Sequence, residues 1–142
     1  MVIRLATSAD AEQLLDINIK ARKDGYQGLV DQAYLDSREV TPARIQAAIE
    51  RISKNTRFFL VYENDQHTLL GFINGGIPRD EGMAYTYEVY SFYVHPHHQR
   101  TGIGSQLWSA FREKIHYQPF YLWTFAKSRG EQFYLKYGGT SF

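Results

Sequence analysis

The sequence contains no cysteine among its 142 residues, and its charges nearly cancel. The absence of cysteine excludes disulfide bonds, thiolate nucleophiles and zinc sites with thiolate ligands. The net charge of +1 creates no large field that would attract nucleic acid or an anionic membrane. No apolar run approaches the ~20 residues that a membrane-spanning helix needs, and the first residues, MVIRLATSAD, lack the apolar core of a signal peptide. The sequence therefore predicts a cytoplasmic protein with no nucleic-acid or membrane partner.

Apolar and aromatic residues are abundant instead. Hydrophobic residues make up 44% of the sequence and aromatic residues 15%, which is sufficient for the core of one domain of this length. No linker, repeat or low-complexity segment divides the chain. We therefore expect a single domain over residues 1–142.

Hydrophobic periodicity predicts a series of strands and helices. Strands are predicted at residues 2–6, 57–62, 69–77, 83–94 and 120–125. Helices are predicted at residues 9–23, 42–52, 103–115 and 130–137, with a helical turn near 33–37. Thr7 with Asp10, and Thr41 with Pro42, are the residue pairs typical of helix starts. The order βααβββαβα indicates an α/β fold with one mixed central sheet and helices on both faces. Trp108 and Trp123 are predicted in the core.

The stretch HQRTGIGS joins a predicted strand to a predicted helix. The first turn of a helix has unpaired N–H groups and a partial positive charge. Gly102 and Gly104 allow an anion to approach these N–H groups closely because no Cβ intervenes. Arg100 adds a cation, and Thr101 and Ser105 add hydroxyl donors. The stretch therefore predicts a site for a phosphate or a pyrophosphate; the alternative is a helix with a flexible N-terminal loop.

Two common phosphate-binding motifs do not fit this stretch. A P-loop requires lysine directly after its second glycine, but Ser105 follows Gly104. A dinucleotide-binding fingerprint requires a third glycine where this sequence has Leu107. A different anion site is therefore needed to explain the pattern.

The segment VHPHHQRTGIGSQL is similar to the acyl-CoA-binding motif of the GNAT superfamily of N-acyltransferases. The family pattern Gln/Arg-x-x-Gly-x-Gly/Ala is met by Gln99, Gly102 and Gly104. The preceding YEVYSFYV resembles the family's fourth strand, and QFYLKYGG resembles its Phe-Tyr helix at Phe133 and Tyr134. Because the motifs occur in the family's order over nearly the whole chain, the resemblance implies a GNAT-like fold.

The resemblance also implies a binding mode for acetyl-CoA, the expected co-substrate, with no metal. In this fold the fourth and fifth strands splay apart, helped by a β-bulge in the fourth strand. The pantetheine arm then pairs with the exposed strand edge like an added strand, and a backbone N–H near Val94 stabilises the oxyanion. The residues expected to bind the cofactor are Phe92, Tyr93, Val94, Gln99, Arg100, Thr101, Gly102, Ile103, Gly104 and Ser105.

Three further residues are candidates for the chemistry. Because cysteine is absent, we expect direct transfer in a ternary complex. Glu88, alone in an otherwise uncharged strand, is the candidate general base; the alternative is a structural carboxylate bonded to a neighbouring tyrosine or lysine. Tyr134 matches the family's tyrosine and is the candidate general acid toward the leaving thiolate; the alternative is a core aromatic. Tyr26 is a candidate for the acceptor cleft; the alternative is a packed or solvent-exposed loop residue.

The sequence also departs from the family pattern. Lys127 occupies a position where many members have asparagine. Family members usually continue with a C-terminal hairpin, of which this sequence has at most a stub at residues 140–142. We therefore expect either an open sheet edge or its completion by a second copy, and predict a homodimer. His95, His97 and His98 have no nearby carboxylate, and we expect them near the CoA phosphates or in solvent rather than on a metal.

The function predicted from these observations is an N-acetyltransferase that uses acetyl-CoA and a primary amine of a small molecule or a protein. One alternative is a catalytically degenerate module that binds acyl-CoA as a sensor or interaction partner. Another is a nucleotide-binding protein, which would bind ATP or NAD better than CoA.

Overall fold

The computed structural model describes residues 1–25, 31–124 and 129–136, which contain five strands, five α-helices and two short 3-10 helices. The strands are β1 (Val2–Leu5), β2 (Arg57–Glu63), β3 (Leu69–Gly76), β4 (Tyr87–Val94) and β5 (Phe120–Leu122). The helices are α1 (Ala11–Gly25), α2 (Gln32–Ser37), α3 (Pro42–Ile52), α4 (Ile103–Lys114) and α5 (Arg129–Lys136). The predicted order is confirmed, with α2 at the predicted helical turn. No helix within these ranges is long and apolar enough to cross a membrane.

Local hydrogen bonds explain where the first helices begin. The Thr41 side chain accepts the N–H of Arg44 at 3.2 Å, and proline occupies the first turn of α3. Before α1, the carboxylate of Asp10 accepts the N–H of Thr7 at 2.7 Å. Arg4 in β1 donates two hydrogen bonds to the same carboxylate, at 2.8 and 2.9 Å, and thereby holds the pKa of Asp10 below its usual value. Both predicted helix starts are confirmed.

The strands form one mixed sheet in the order β1-β2-β3-β4-β5. The first four strands pair antiparallel, whereas β4 and β5 run parallel. The parallel pair requires a crossover connection, and α4 supplies it. This arrangement places the ends of β4 and β5 beside the loop that opens α4.

Apolar side chains cover both faces of the sheet. On one face, α4 packs on the sheet through a buried cluster that comprises Leu60, Leu70, Ile73, Val89, Ile103, Leu107, Trp108, Phe111 and Ile115. On the other face, α1 contributes to a second buried cluster, which comprises Leu14, Ile17, Phe59, Val61, Leu69 and Phe72. Along β2 and β3, apolar residues alternate between these two clusters, as the period of a strand requires. The predicted arrangement of helices on both faces is confirmed, and we call these the α4 face and the α1 face.

Three sequence predictions, on the start of β4, the end of β5 and the burial of Trp123, are wrong in detail. The strand predicted at residues 83–94 begins at Tyr87, because residues 81 and 82 form a turn and residues 83–86 are irregular. The strand predicted at 120–125 ends at Leu122; its last position lies outside the described residues. Trp108 is buried as predicted, but Trp123 is 61% exposed because it lies beyond the end of β5, outside the core. Lys127 and residues 140–142 also lie outside the described residues.

Candidate active site

The parallel pairing between β4 and β5 is short. Residues 87–89 pair with residues 120–122. Within the described chain, residues 90–94 of β4 have no strand neighbour on that side. The two strands therefore separate and leave one edge of β4 with unpaired backbone groups, as the resemblance implied.

A β-bulge in β4 marks the point of separation. Asn74 pairs with Ser91, but the next residue of β3, Gly75, pairs with Val89. Tyr90 is therefore the extra residue of β4. Because a bulge bends its strand and increases the local twist, it turns the second half of β4 away from β5.

A cleft of about 720 Å³ passes through the gap that this separation opens. Its lining includes Ala21 and Gly25 from the α1 face of the sheet. It also includes Phe133, Tyr134 and Lys136 from α5, which packs against the α4 cluster on the opposite face. The volume lies within the range typical of small-molecule sites. The cleft is thus lined by residues from both faces of the sheet.

The glycine-containing loop lies at one end of the cleft. Arg100 and Gly102 both have positive φ angles, 64° and 89°, with Thr101 between them. Gly102 is the N-cap of α4 in the left-handed conformation, which a Cβ would strain. Turns that bring left-handed residues together commonly direct successive N–H groups toward one point and bind anions. The start of α4 adds its own unpaired N–H groups to this point.

The structure divides the predicted loop residues into two groups. Those that line the cleft are Gln99, Arg100, Gly102, Gly104 and Ser105. The Thr101 hydroxyl instead donates to the carbonyl of His98 at 2.5 Å, and Ile103 is buried in the α4 cluster. Thr101 and Ile103 therefore contribute backbone to the loop rather than cleft-lining side chains.

The three residues predicted on β4 all line the cleft. Phe92 points to the α4 face, where its ring lies 5.9 Å from that of Trp108. Tyr93 points to the α1 face, where its ring lies 5.9 Å from that of Phe72. Val94 follows them at the end of the strand, and its carbonyl accepts a hydrogen bond from the Gln99 side chain at 3.2 Å.

Tyr134 lines the cleft from α5. Its ring centroid is 5.4 Å from that of Trp108 and 6.3 Å from that of Phe92. It is partly buried, so one side of the ring packs on the core while the residue still lines the cleft. Tyr26, the predicted acceptor residue, lies outside the described residues.

The three histidines form a small cluster before the loop. The Nδ1 atom of His95 accepts the N–H of His97 at 3.2 Å, and the ring of His98 lies 5.6 Å from that of His95. Burial lowers the pKa of His95. Among the described residues, no group of three histidine or carboxylate side chains is placed to hold a metal ion.

Glu88 is completely buried and makes an ion pair. Because Val89 packs into the α4 cluster, Glu88 points to the α1 face. Its Oε1 atom accepts the N–H of Arg79 at 2.8 Å and the Nε–H at 3.2 Å, while Oε2 accepts from the guanidinium at 2.8 Å. Glu88 is not part of the cleft lining. The structure therefore gives this carboxylate a charged partner, although an arginine rather than the predicted tyrosine or lysine.

Arg79 also contacts the bulge residue. Its guanidinium lies 4.3 Å from the ring centroid of Tyr90, and that of Arg57 lies 4.8 Å from the same centroid. The Tyr90 hydroxyl donates to the carbonyl of Ile77, and burial raises the pKa of Tyr90. The β3–β4 loop, residues 77–86, is thus attached to β4 at both Glu88 and Tyr90.

A second carboxylate attaches the same loop to β5. Asp80 Oδ2 accepts the hydroxyl of Tyr121 at 3.0 Å and the indole N–H of Trp123 at 2.8 Å. These two bonds hold the pKa of Asp80 below its usual value, while burial raises that of Tyr121 to about 12. Trp123 also lines the cleft. Neither Arg79 nor Asp80 was identified from the sequence, because nothing in a short polar loop indicates which strand it contacts.

Comparisons with known proteins agree with this geometry. Residues 54–138 match the sequence profile of an acetyltransferase (GNAT) domain. No curated protein matches the chain significantly in sequence.

Several solved structures share the fold. The PaiA N-acetyltransferase of Thermoplasma acidophilum, solved with coenzyme A, is 24% identical, with a TM-score of 0.75 over 97% of this chain and 89% of that one. An aminoglycoside 6'-N-acetyltransferase of Acinetobacter baumannii is 11% identical, with a TM-score of 0.72 over 99% and 90%. A ribosomal-protein-alanine N-acetyltransferase of Brucella melitensis is 15% identical, with a TM-score of 0.67 over 99% and 92%.

Proposed function

Because the chain belongs to the GNAT family of acetyltransferases, we propose that it transfers an acetyl group from acetyl-CoA directly to a primary amine. The observation that carries this proposal is the cleft through the gap between β4 and β5, with the glycine-containing loop at one end. The PaiA N-acetyltransferase of Thermoplasma acidophilum, which has a similar fold, was solved with coenzyme A. The similar enzyme of Acinetobacter baumannii is an aminoglycoside N-acetyltransferase. Both relationships support acetyl-CoA as donor and an amine as acceptor.

The cofactor would lie between β4 and α5. Its pyrophosphate fits the loop end of the cleft, where the N-terminus of α4 and the cation of Arg100 favour an anion. The amide groups of its pantetheine arm fit the unpaired edge of β4 beyond Tyr90. This position would bring the thioester toward Tyr134 on one side and the α1 face on the other.

The chain's own groups would then contribute position and proton transfer. Holding both reactants in one cleft supplies much of the acceleration. The amine nitrogen attacks the thioester carbonyl, the C–S bond breaks, and Tyr134 donates a proton to the sulfur. We propose that Glu88 receives the proton of the amine through water, because Glu88 directly precedes Val89 and Tyr90 of β4, which line the cleft.

The proposed function is tested first by coenzyme A binding. A Cβ at Gly104 would lie 3.5 to 3.8 Å from side chains of Phe133, Phe92 and Val94, all of which line the cleft. A longer side chain there would extend into the space proposed for the cofactor. We therefore expect Gly104→Leu to raise the Kd for coenzyme A about tenfold or more, measured by calorimetry.

Ser109→Leu is the matched control, because Ser109 lies exposed on the same helix. Equal coenzyme A affinity for Gly104→Leu and wild type would contradict the proposed cofactor position. Release of free thiol from acetyl-CoA with a panel of primary amines then tests turnover.

The role of Glu88 is tested by Glu88→Gln, which retains an oxygen that can accept from Arg79. If Glu88 is the base, the acidic limb of the pH profile of kcat/KM flattens, and kcat falls about tenfold or more. Glu63→Gln is the control, since Glu63 is also a largely buried carboxylate that accepts from an arginine, at 3.2 Å from Arg4, but lies on β2. If the acidic limb were unchanged in Glu88→Gln, a group other than Glu88 would have to accept the proton of the amine.

One observation favours a second candidate function. Both oxygens of Glu88, the predicted base, are engaged by Arg79, and Glu88 is not among the residues that line the cleft. A cleft that binds acyl-CoA but has no base in its lining is what we expect of an acyl-CoA sensor that binds without catalysis. Tight coenzyme A binding without thiol release for any amine would support this candidate over the enzyme.

The homodimer and the cytoplasmic location stay predictions from the sequence. Within the described ranges, β1 and β5 are the two edge strands of the sheet, and β5 has only three residues. Short edge strands reduce pairing between copies, so β5 gives a second copy little to pair with.

A further inference from the structure

A buried amide on the α1 face has no role in the chemistry proposed above. Asn74 is the only polar residue of β3, and only 4% of it is exposed. It points to the α1 face, because its neighbour Ile73 packs into the α4 cluster. Burial of an amide is costly unless its polar atoms form hydrogen bonds. An apolar residue would fill the same position at a lower cost, so stability alone does not explain the amide.

Ser91 of β4 accepts the one hydrogen bond that the Asn74 side chain makes within the described ranges. The two residues are opposite each other in the β3–β4 register, and Asn74 Nδ2 donates to Ser91 Oγ at 3.3 Å. The Asn74 Oδ1 atom is buried and accepts no hydrogen bond from any described residue. A serine oxygen has two lone pairs, of which the Asn74 amide occupies one. The pair can therefore accept further hydrogen bonds, at Asn74 Oδ1 and at Ser91 Oγ.

Ser91 connects this pair to the cleft. It lines the cleft directly after the bulge residue Tyr90, at the point where β4 and β5 separate. Its side chain lies on the α1 face, where it meets that of Asn74. The α1 residues that line the cleft, Ala21 and Gly25, contribute at most a methyl group, which leaves room for a ligand on this face. A group that enters the cleft on the α1 face can therefore reach the Ser91 hydroxyl.

We infer that Ser91 contacts the acceptor amine and that Asn74 is a positioning residue, which fixes the Ser91 hydroxyl. This inference rests on the proposed function and adds two residues to its site. An N–H of the neutral amine donates to Ser91 Oγ, so that the nitrogen lone pair is free to face the thioester carbonyl. Asn74 Oδ1 supplies a further acceptor beside it. Ser91 neither gains nor loses a proton in the transfer, and Glu88, the proposed base, precedes it by three residues in β4.

The test measures kcat/KM for the amine in the thiol-release assay, with the primary amine of the panel that gives the highest wild-type value. Ser91→Ala removes only the hydroxyl and should lower this kcat/KM about fivefold, because one hydrogen bond to the amine is lost. Asn74→Leu removes both polar atoms at nearly equal volume and should lower it about threefold. The double variant should be no slower than Ser91→Ala, because Asn74 acts through Ser91. Ser109→Ala, at an exposed position of α4, is the control.

Two further measurements distinguish this role from a structural one. The KM for acetyl-CoA should stay within about twofold of the wild-type value in both single variants, and urea unfolding should show no loss of stability in Asn74→Leu. A loss of stability, or a matching rise in the KM for acetyl-CoA, would overturn the inference in favour of a structural pair. Wild-type kcat/KM for the amine in Ser91→Ala, or additive losses in the double variant, would overturn it while the transferase function stands. Absence of thiol release from the wild type with every amine would overturn both proposals.

Discussion

Replacing Tyr134 with phenylalanine should lower kcat about a hundredfold and leave the Kd for coenzyme A within about twofold of the wild-type value. The substitution removes only the phenolic oxygen. The ring contacts with Trp108 and Phe92, at 5.4 and 6.3 Å between centroids, are retained. Because the phenol is proposed to protonate the departing sulfur, its loss affects the transition state and not the bound cofactor.

Tyr87→Phe is the matched control for this experiment. Tyr87 also packs against the α4 cluster and is partly buried, but it does not line the cleft. Its kcat should equal that of the wild type. If Tyr134→Phe retained full kcat, another group or water would have to protonate the sulfur. If it lost affinity for coenzyme A and kcat together, Tyr134 would hold the cofactor in place.

Replacing Arg79 with methionine should reduce the free energy of unfolding by about 2 to 3 kcal/mol. The reason is that the substitution removes the charged partner of the Glu88 carboxylate. This carboxylate is completely buried, and Arg79 supplies all three of its described hydrogen bonds. One of the three comes from the backbone N–H of residue 79 and survives the substitution, but both guanidinium bonds are lost. A buried charge without its partner is costly because nothing replaces its hydration.

The double variant Arg79→Met with Glu88→Gln separates this explanation from a loss of packing. If the buried charge causes the loss, the double variant should regain most of the stability, because its neutral amide still accepts the N–H of residue 79. Urea unfolding of the wild type, both single variants and the double variant gives the coupling energy. Additive losses would show instead that Arg79 stabilises the β3–β4 loop mainly through its contact with Tyr90, 4.3 Å from the ring centroid.

The features that the sequence predicts well are those fixed by neighbours along the chain. The start of α3 follows from Thr41 and Pro42, because the cap and the first turn involve residues within three positions of each other. The alternation of apolar residues in β2 and β3 assigns them to two faces of the sheet without knowledge of the partner strands. The position of Gly102 and Gly104 at the start of α4 is likewise predicted from residues that are neighbours along the chain.

The features that the sequence does not predict depend on distant pairs. Glu88 was identified as an unusual buried carboxylate, but its partner lies nine residues away in a polar loop whose path a pattern cannot show. Because of the same loop, β4 begins at Tyr87 instead of the predicted residue 83. Trp123 is of a residue type that is common in protein cores, but it lies exposed beyond the end of β5. There its indole donates to Asp80, which is 43 positions earlier in the chain.

The passage of the cleft through the sheet has a consequence for the kinetic order of the proposed reaction. With a lining from both faces, the donor and the acceptor would have separate entrances. Neither would then obstruct the route of the other, so sterics would not impose a compulsory order of addition. The acetylated product could depart by its own route while coenzyme A is still bound, and the affinities of the two products would determine which one limits turnover.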